Sequence, residues 1–415
     1  MESDTEVLII GGGVIGVCSA YYLAQRGIKT TLIEKGEIAS GCSYGNGGLI
    51  VPSDAVPLAS PGALGDGLRW LLNDASPFYI KPRLEWDFIK WLLKFVRASR
   101  KPNMLRALPV LRDLLVASRN LYEELAHMAG FDFGFESSGS LHVFLAQENY
   151  QTNIADAHWM ERFNIPFEIW DAKQIHDREP ALSPKVLGGI FHPTDGHITP
   201  SCFVVGLAEK ARELGAQIHT QTEVLQFEIS HGRIAKVHTT RGDIQPKQVV
   251  LAAGSWSPQV ARGLKLKIPI QPAKGYSVTM ENPSVPPKYP LLLAEGHTVV
   301  NPLGHALRVA GTLELAGMDF SYNARRVEVV HNSMRGYLND IEDLKVIEIW
   351  RGLRPCTPDG LPVIDRMTEP ENLIVAAGHA MLGMSLGPVT GKLVSQLIAG
   401  EQTVIDTMPL RLERF

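Results

Sequence analysis

Glu6-Val7-Leu8-Ile9-Ile10-Gly11-Gly12-Gly13-Val14-Ile15-Gly16 is the stretch whose reading decides the fold. An apolar run meets three glycines, and from Val14 the pattern turns helical, continuing to Arg26 and closing at Gly27. Lys29 to Ile33 then reads as a second strand ending at Glu34. Strand, glycine turn, helix and strand in this order form a βαβ unit, the building block of a parallel sheet. Gly11, Gly13 and Gly16 keep the G-x-G-x-x-G spacing. Such glycines allow a tight turn and a close approach of backbone to a pyrophosphate, while the helix N-terminus supplies N–H groups and positive dipole potential. Glu34, about twenty residues further on, stands where a carboxylate accepts hydrogen bonds from an adenosine ribose. A bare glycine turn without a ligand is the competing reading. The strand-helix-strand setting and the terminal acid favour a dinucleotide, and the acid disfavours a 2′-phosphate.

Three further stretches bear on which dinucleotide. Ser40-Gly41-Cys42-Ser43-Tyr44-Gly45-Asn46-Gly47-Gly48 is small and hydroxylated, suited to lie along an extended ligand, or else to form a surface loop. Near the other end, Ala376-Ala377-Gly378-His379-Ala380-Met381-Leu382-Gly383-Met384-Ser385-Leu386-Gly387-Pro388 leads into a helix from Val389 to Ile398. Pro388 fits a first helical turn. A helix N-terminus there would stabilise negative charge developing on a reduced flavin ring. The two ends of the chain would then meet on one cofactor. Finally, Trp350-Arg351-Gly352-Leu353-Arg354-Pro355-Cys356-Thr357-Pro358-Asp359-Gly360 presents an arginine in what reads as a glycine- and proline-shaped turn. Beside a cofactor, Arg354 is a natural bidentate partner for a carboxylate; alone, it reads as a solvated loop residue.

Length and composition set the frame. A chain of 415 residues suits two intertwined domains, and a net charge of -4 gives no general attraction to nucleic acid. Cys18, Cys42, Cys202 and Cys356 lie far apart with no CxxC pair, which predicts neither a disulfide framework nor a metal site and points to a reducing compartment. The acidic start is unlike a secretory signal, and no apolar run approaches the roughly 18 residues of a membrane span. A cytoplasmic location follows as the expectation. From about Pro57 to Gly130 the pattern is helical. Lys90, Lys94, Arg97 and Lys101 recur there on one face, with Phe88, Ile89, Leu92, Phe95 and Val96 beside them. This reads either as a helix lying peripherally on the cytoplasmic face of the inner membrane or as a helix packed on the protein with a solvated basic face. Strand-like runs follow at Gly139 to Leu145, Gly188 to Thr194, Gln217 to His219, Glu223 to Ile229 and Val249 to Ala253, with a helix around Ser201 to Leu214. Gln271 to Gly311 is strand-rich, as in an antiparallel sheet.

Taken together, GGGVIG, the SxxNGG segment at Ser43 to Gly48, the P-x-K-G-Y-S run at Pro272 to Ser277, GLRPCTPDG and AAGHAMLGMSLGP resemble the D-amino acid dehydrogenase family. That family lies within the group holding glycine oxidase, sarcosine oxidase and D-amino acid oxidase. The likeness runs from residue 7 to about 398. It implies a mixed α/β fold: a Rossmann-like FAD-binding domain, and a substrate domain with an antiparallel sheet roofing the flavin plus the helical insertion. The division it implies is discontinuous, with 1–80, 190–265 and 345–415 binding FAD and 81–189 and 266–344 forming the substrate domain.

By position, the resemblance gives Gly11, Gly13, Val14, Ile15 and Gly16 the pyrophosphate, and Glu34 with Lys35 the adenosine ribose. Val224, Ala253 and Gly254 border the adenosine side. Cys42, Ser43, Asn46, Gly47, Gly48 and Leu49 run along the ribityl and ring, Cys42 as packing rather than a covalent link. Gly378, His379, Gly383, Met384 and Ser385 enclose the isoalloxazine, His379 without acid-base duty. Arg354 holds the substrate carboxylate, and Tyr276 is a candidate for the substrate pocket or for core. Gly45 and Gly47 replace alanines expected in the family, changes that read as tolerable. The implied reaction is oxidative deamination of a small amino acid, in first place a D-amino acid. Hydride passes from Cα–H to flavin N5, an imine forms and hydrolyses to a 2-oxo acid, and electrons go on to a quinone or carrier. An oxygen-using oxidase and a dehydrogenase of a secondary amine such as proline or hydroxyproline stay open. An NAD-dependent dehydrogenase would have no need for AAGHAMLG, and a non-catalytic flavoprotein would not be bleached by any amino acid.

Overall fold

A computed structural model describes residues 4–62 and 78–415. Val7-Leu8-Ile9-Ile10 lies at the middle of a parallel sheet, where a run apolar on both faces can be covered on both. Its strand, Asp4–Ile10, pairs in parallel with Thr30–Ile33 and with Gly242–Leu251, so that Leu8 stands opposite both Thr31 and Val249. Gln217–His219 extends the sheet on one side; the parallel Leu373–Ala377 and the antiparallel Val363–Arg366 extend it on the other.

The helix Val14–Gln25 is buried from Val14 to Ala24, because the helices Pro200–Glu213 and Gly387–Ala399 pack over it. The last approach depends on small residues: a Cβ on Gly391 would lie 2.5 Å from the Cys18 carbonyl carbon. The chain's two ends therefore share one core. Gly242–Leu251 also pairs antiparallel with Arg233–Thr239, which pairs in turn with Val224–Ser230. Sequence reading placed a strand only from Val249 and missed Arg233–Thr239. That strand buries Ile234 and Val237 on one face while Arg233 and Ala235 stay exposed, leaving no apolar run to notice.

A nine-stranded, mostly antiparallel sheet lies above. Its order is Val346–Cys356, Gln271–Glu281, Ala306–Leu315, Thr298–Leu303, Leu291–Leu293, Ser140–Phe144, Gly188–His192 and Glu168–Asp171, with Phe78–Ile80 also on Ala306–Leu315. Here the expected division shifts. Val346–Cys356 and Phe78–Ile80, assigned from sequence to the FAD-binding part, are strands of this roof sheet, and Gly188–His192 straddles the expected boundary at 190. GLRP is likewise a strand rather than a turn. Val346–Cys356 forms the sheet's edge, where proline is tolerated, and Pro355 sits opposite Pro272.

The helical insertion consists of Trp86–Ala98 and Lys101–Ala126 among the described residues; its part at 63–77 lies outside them. Lys101 thus opens a second helix instead of continuing the first. Phe88, Trp91 and Phe95 point inward, while Trp86, Lys90, Leu93, Val96 and Arg97 are exposed.

Candidate active site

Between the parallel sheet and the roof runs a cavity of about 840 Å³, toward the upper end of the roughly 300–1,000 Å³ usual for cofactor sites. Gly11 to Ile15 line one end. Gly11 has φ +116°, and a Cβ there would meet the Ala252 carbonyl oxygen at 2.5 Å, so only glycine lets this turn form. Gly16 is different: its missing Cβ would lie 1.9 Å from the Gly11 carbonyl oxygen, so it brings helix and turn together without lining the cavity. A helix's first turn leaves backbone N–H groups without intrahelical partners. Ser43 Oγ takes that of Val14 at 2.9 Å, placing a hydroxyl beside the first turn.

Glu34 lines the cavity with both carboxylate oxygens fixed. Oε2 accepts from Gly12 N at 2.7 Å and Oε1 from Gly36 N at 2.8 Å, each oxygen keeping a lone pair for a ribose hydroxyl. Val224, Ala253 and Gly254 line the same end. Lys35 lies 3.9 Å over the Trp256 ring, and Trp256 stacks on Phe320 in the loop after Ala306–Leu315, the pair and the lysine all bordering the cavity.

The 40–50 loop borders the cavity, held by three side chains. Arg308 of the roof donates to the Tyr44 and Asn46 carbonyls at 3.0 and 3.2 Å, and Asn301 Nδ2 donates to the Gly47 carbonyl at 2.8 Å. From the C-terminal segment, Ser385 Oγ donates to the Leu49 carbonyl at 2.8 Å. Gly48 and Leu49 do not line the cavity. Gly48 is a close approach, where a Cβ would sit 2.4 Å from the Ile198 carbonyl oxygen. Gly47 would accommodate the expected alanine, its nearest neighbour being Ala310 at 3.6 Å. Gly45 would not without movement: the Trp350 ring comes within 2.0 Å of where its Cβ would be.

Of the C-terminal loop, His379, Gly383 and Met384 line the cavity, while Gly378 and Ser385 support it from behind. The Gly378 Cβ position is 2.5 Å from the Thr357 methyl. Thr390 Oγ1 gives its proton to the Leu386 carbonyl at 2.8 Å, so His379 Nε2–H donates to Thr390 at 3.0 Å. Burial pushes the His379 imidazolium down to about 3, which keeps the ring neutral and out of proton transfer. Gly387 and Pro388 stand behind Gly383 and Met384 rather than on the wall, and Val389 N donates to Ser118 Oγ. Tyr122 of the insertion donates to the Met384 carbonyl at 2.6 Å.

Arg354 sits at the roof end. Its neighbour on the next strand, Gly275, leaves a hollow into which the guanidinium folds: a Cβ on Gly275 would be 1.9 Å from Arg354 Nη1. Nη1 donates to the Thr312 carbonyl at 2.6 Å. Thr312 has φ +59° at a bulge where the register shifts between Lys274 and Tyr276, and the bulge turns this carbonyl toward the arginine. Burial lowers the proton affinity of Arg354, and the ionisable groups acting on it are the thiols of Cys42 and Cys356. Among the described residues no carboxylate pairs with it. Burial pushes Cys42 up to about 12, so it is a neutral thiol, as packing requires. Tyr276 borders the cavity, but its hydroxyl is committed elsewhere, donating to the Ser321 carbonyl at 3.3 Å and accepting from Asn323 N at 3.1 Å. It belongs to the core on the far face of the roof.

The sequence pointed to none of Arg308, Asn301, Trp256, Phe320 or Trp350 as site residues. The roles of Arg308 and Asn301 arise only when the roof sheet lies on the 40–50 loop, so no local signal marks them.

The cradle fits an FAD. It has glycines where backbone must approach a pyrophosphate, a carboxylate held for a ribose, and a long cavity continuing past the 40–50 loop to a desolvated arginine. Comparison with known proteins agrees. The chain is 33% identical to a D-amino acid dehydrogenase of Agrobacterium fabrum over 99% of both chains. It is 32% identical to one of Bradyrhizobium diazoefficiens, again over 99% of each. Its fold superimposes on the glycine oxidase of Geobacillus kaustophilus with a TM-score of 0.81 at 24% identity, covering 100% of this chain and 99% of the other. The L-proline dehydrogenase from P. horikoshii gives 0.78 at 23%, covering 100% and 98%. Residues 6–397 match the DAO family, described as FAD dependent oxidoreductase, and the chain belongs to that family.

Proposed function

We propose that this flavoenzyme oxidises the Cα–N bond of a small amino acid, in first place a D-amino acid, and passes the electrons to a quinone or carrier. The observation that carries the reading is Arg354, a desolvated guanidinium at the cavity wall with no carboxylate among the described residues to neutralise it. The names of the relatives at about 32–33% identity support it. Bound FAD would supply the hydride acceptor, and the chain's own residues do the positioning. Arg354, anchored through one N–H to Thr312, keeps its remaining donors for a substrate carboxylate, converting binding into orientation of Cα. Gly352, Leu353, Pro355, Ala310 and Ala380, which line this end, carry no base. An amine there is brought to its neutral, reactive form by desolvation, which disfavours the ammonium. The FAD-binding assignments of Gly13, Glu34, Ser43, Val224 and Met384 rest on their common border with this cavity.

Anaerobic mixing with a panel of amino acids tests the reading. D-alanine and similar small D-amino acids should bleach the flavin absorbance, and the reduced protein should be reoxidised faster by a quinone analogue than by air. Bleaching only by L-proline-like amines, or reoxidation favouring oxygen, would assign the chain to one of the other reactions of its family.

A peripheral membrane contact through the helix Trp86–Ala98 belongs to the same proposal. No described helix is long and apolar enough to cross a bilayer. Trp86, 75% exposed, and Leu93, 66% exposed, share the outer face with Lys90 and Arg97, an arrangement that suits an anionic interface. Vesicles containing phosphatidylserine should sediment the protein at low salt, and Trp86→Ser with Leu93→Ser should abolish this. Unchanged sedimentation of the double variant would refute the contact.

A further inference from the structure

Gly275 and Gly352 stand directly opposite each other on adjacent strands of the roof, and neither gap is empty. The guanidinium of Arg354 fills the space over Gly275, Nη1 lying 1.9 Å from the Cβ position. The indole of Trp350 fills the space over Gly352, Cη2 lying 2.0 Å from the Cβ position. Side chains directly opposed in an antiparallel pair have Cβ atoms about 4.5–5.5 Å apart. Arg354 and Trp350, which alternate with Gly352 on the same face of their strand, are therefore brought toward each other over this glycine pair. Both line the cavity. The far side of the indole is closed by Gly45, whose Cβ position is 2.0 Å from the Trp350 ring, so the ring is wedged between the 40–50 loop and the strand floor.

We infer that Trp350 is the residue that limits the size of the substrate side chain. The inference rests on the carboxylate role of Arg354 given above. A carboxylate held at Arg354 places the adjoining Cα and its substituent within a few ångströms, which is where the indole stands. A ring wedged on two sides by glycines has little room to withdraw, so larger side chains meet a wall instead of an adaptable surface. Small substituents lie against an apolar face, consistent with the absence of charged groups among Ala310, Gly352 and Leu353 around it. Gly45, where the family resemblance leads one to expect alanine, makes the room for this placement of the ring.

The test compares the parent, Trp350→Ala and Trp350→Phe as FAD-loaded proteins. Two readouts serve: kcat/KM for D-alanine against D-leucine and D-phenylalanine, and binding of acetate, isovalerate and benzoate followed by perturbation of the flavin spectrum. The second works without turnover, so a failure of the amino-acid reading is distinguished from a failure of the wall. Trp350→Ala should shift both preferences toward the larger ligand by about ten- to a hundredfold, the range by which a pocket discriminates small apolar differences. Trp350→Phe should recover most of the parent's preference, and flavin content should stay constant in both variants. Equal losses for small and large ligands would mean that Trp350 only supports the fold. A parent that already prefers benzoate, with that preference lost in Trp350→Ala, would mean the indole is a stacking platform; either result overturns the inference.

Discussion

Arg354→Ala is expected to lower kcat/KM for amino acids by about two to three decades while leaving FAD content near normal. A charge-assisted pair in a desolvated site is worth about 2–5 kcal/mol, and about 1.4 kcal/mol corresponds to tenfold. The structure supplies the desolvation: burial lowers the arginine's proton affinity, and no carboxylate of the described residues offsets its charge. Arg354→Lys should recover only part, because an ammonium cannot reproduce the planar fork that holds Thr312 with one N–H and a carboxylate with others. Gly275→Ala should act in the same direction, since its methyl would occupy the guanidinium's place. Amines without a carboxylate should be poor substrates for the parent and lose little in the variants. Steady-state kinetics with matched amine and amino-acid pairs decide the matter. Equal losses for both kinds of substrate would remove the carboxylate role, and with it the assignment to amino acids.

Glu34→Arg should give protein purified largely without FAD. The carboxylate accepts from Gly12 N on one oxygen and Gly36 N on the other, shaping the turns on both sides of the nucleotide site as well as facing it. Arginine would leave both N–H groups without an acceptor and place a donor where ribose hydroxyls need an acceptor. Glu34→Gln separates the two effects, since it keeps one acceptor oxygen and should retain part of the flavin. The ratio of flavin to protein absorbance reads the result, with circular dichroism to show that the fold persists. Full occupancy in Glu34→Arg would place the adenosine elsewhere.

The first βαβ unit was legible because its signals are local. An apolar run, a glycine turn and an amphipathic-to-buried helix are each specified by residues within a few positions of one another, and Asp4–Ile10, Val14–Gln25 and Thr30–Ile33 lie within a residue or two of the expectation. Arg354, Glu34 and His379, which border the cavity, were singled out for the same reason, since their motifs mark them. The meeting of the two chain ends was also anticipated, and the hydrogen bond from Ser385 to Leu49 shows the form it takes.

Sheet membership and side-chain direction were decided by tertiary structure. GLRP carries turn-forming residues, yet pairing of Pro355 with Pro272 at a sheet edge makes it a strand, because an edge lets proline's missing N–H face away from the ladder. Tyr276 is on a roof strand as expected, but strand alternation sends it into the core with its hydroxyl bound to Ser321 and Asn323, while Gly275, one residue earlier, shapes the site. On the insertion helix, spacing placed Phe88 and Phe95 beside the basic residues, whereas packing turned both inward and left Trp86 and Leu93 outside. Arg308 and Asn301 had no signal at all, and Trp350 only its place at the head of the arginine motif, since each acts on a loop more than two hundred residues away in the chain. A sequence specifies propensities and contacts among near neighbours, so it determined the nucleotide-binding unit and the chemistry of the marked residues. Which face of a strand looks into the cavity, and which distant loop lies against it, depends on how the two sheets stack, and that is settled only when the whole chain has folded.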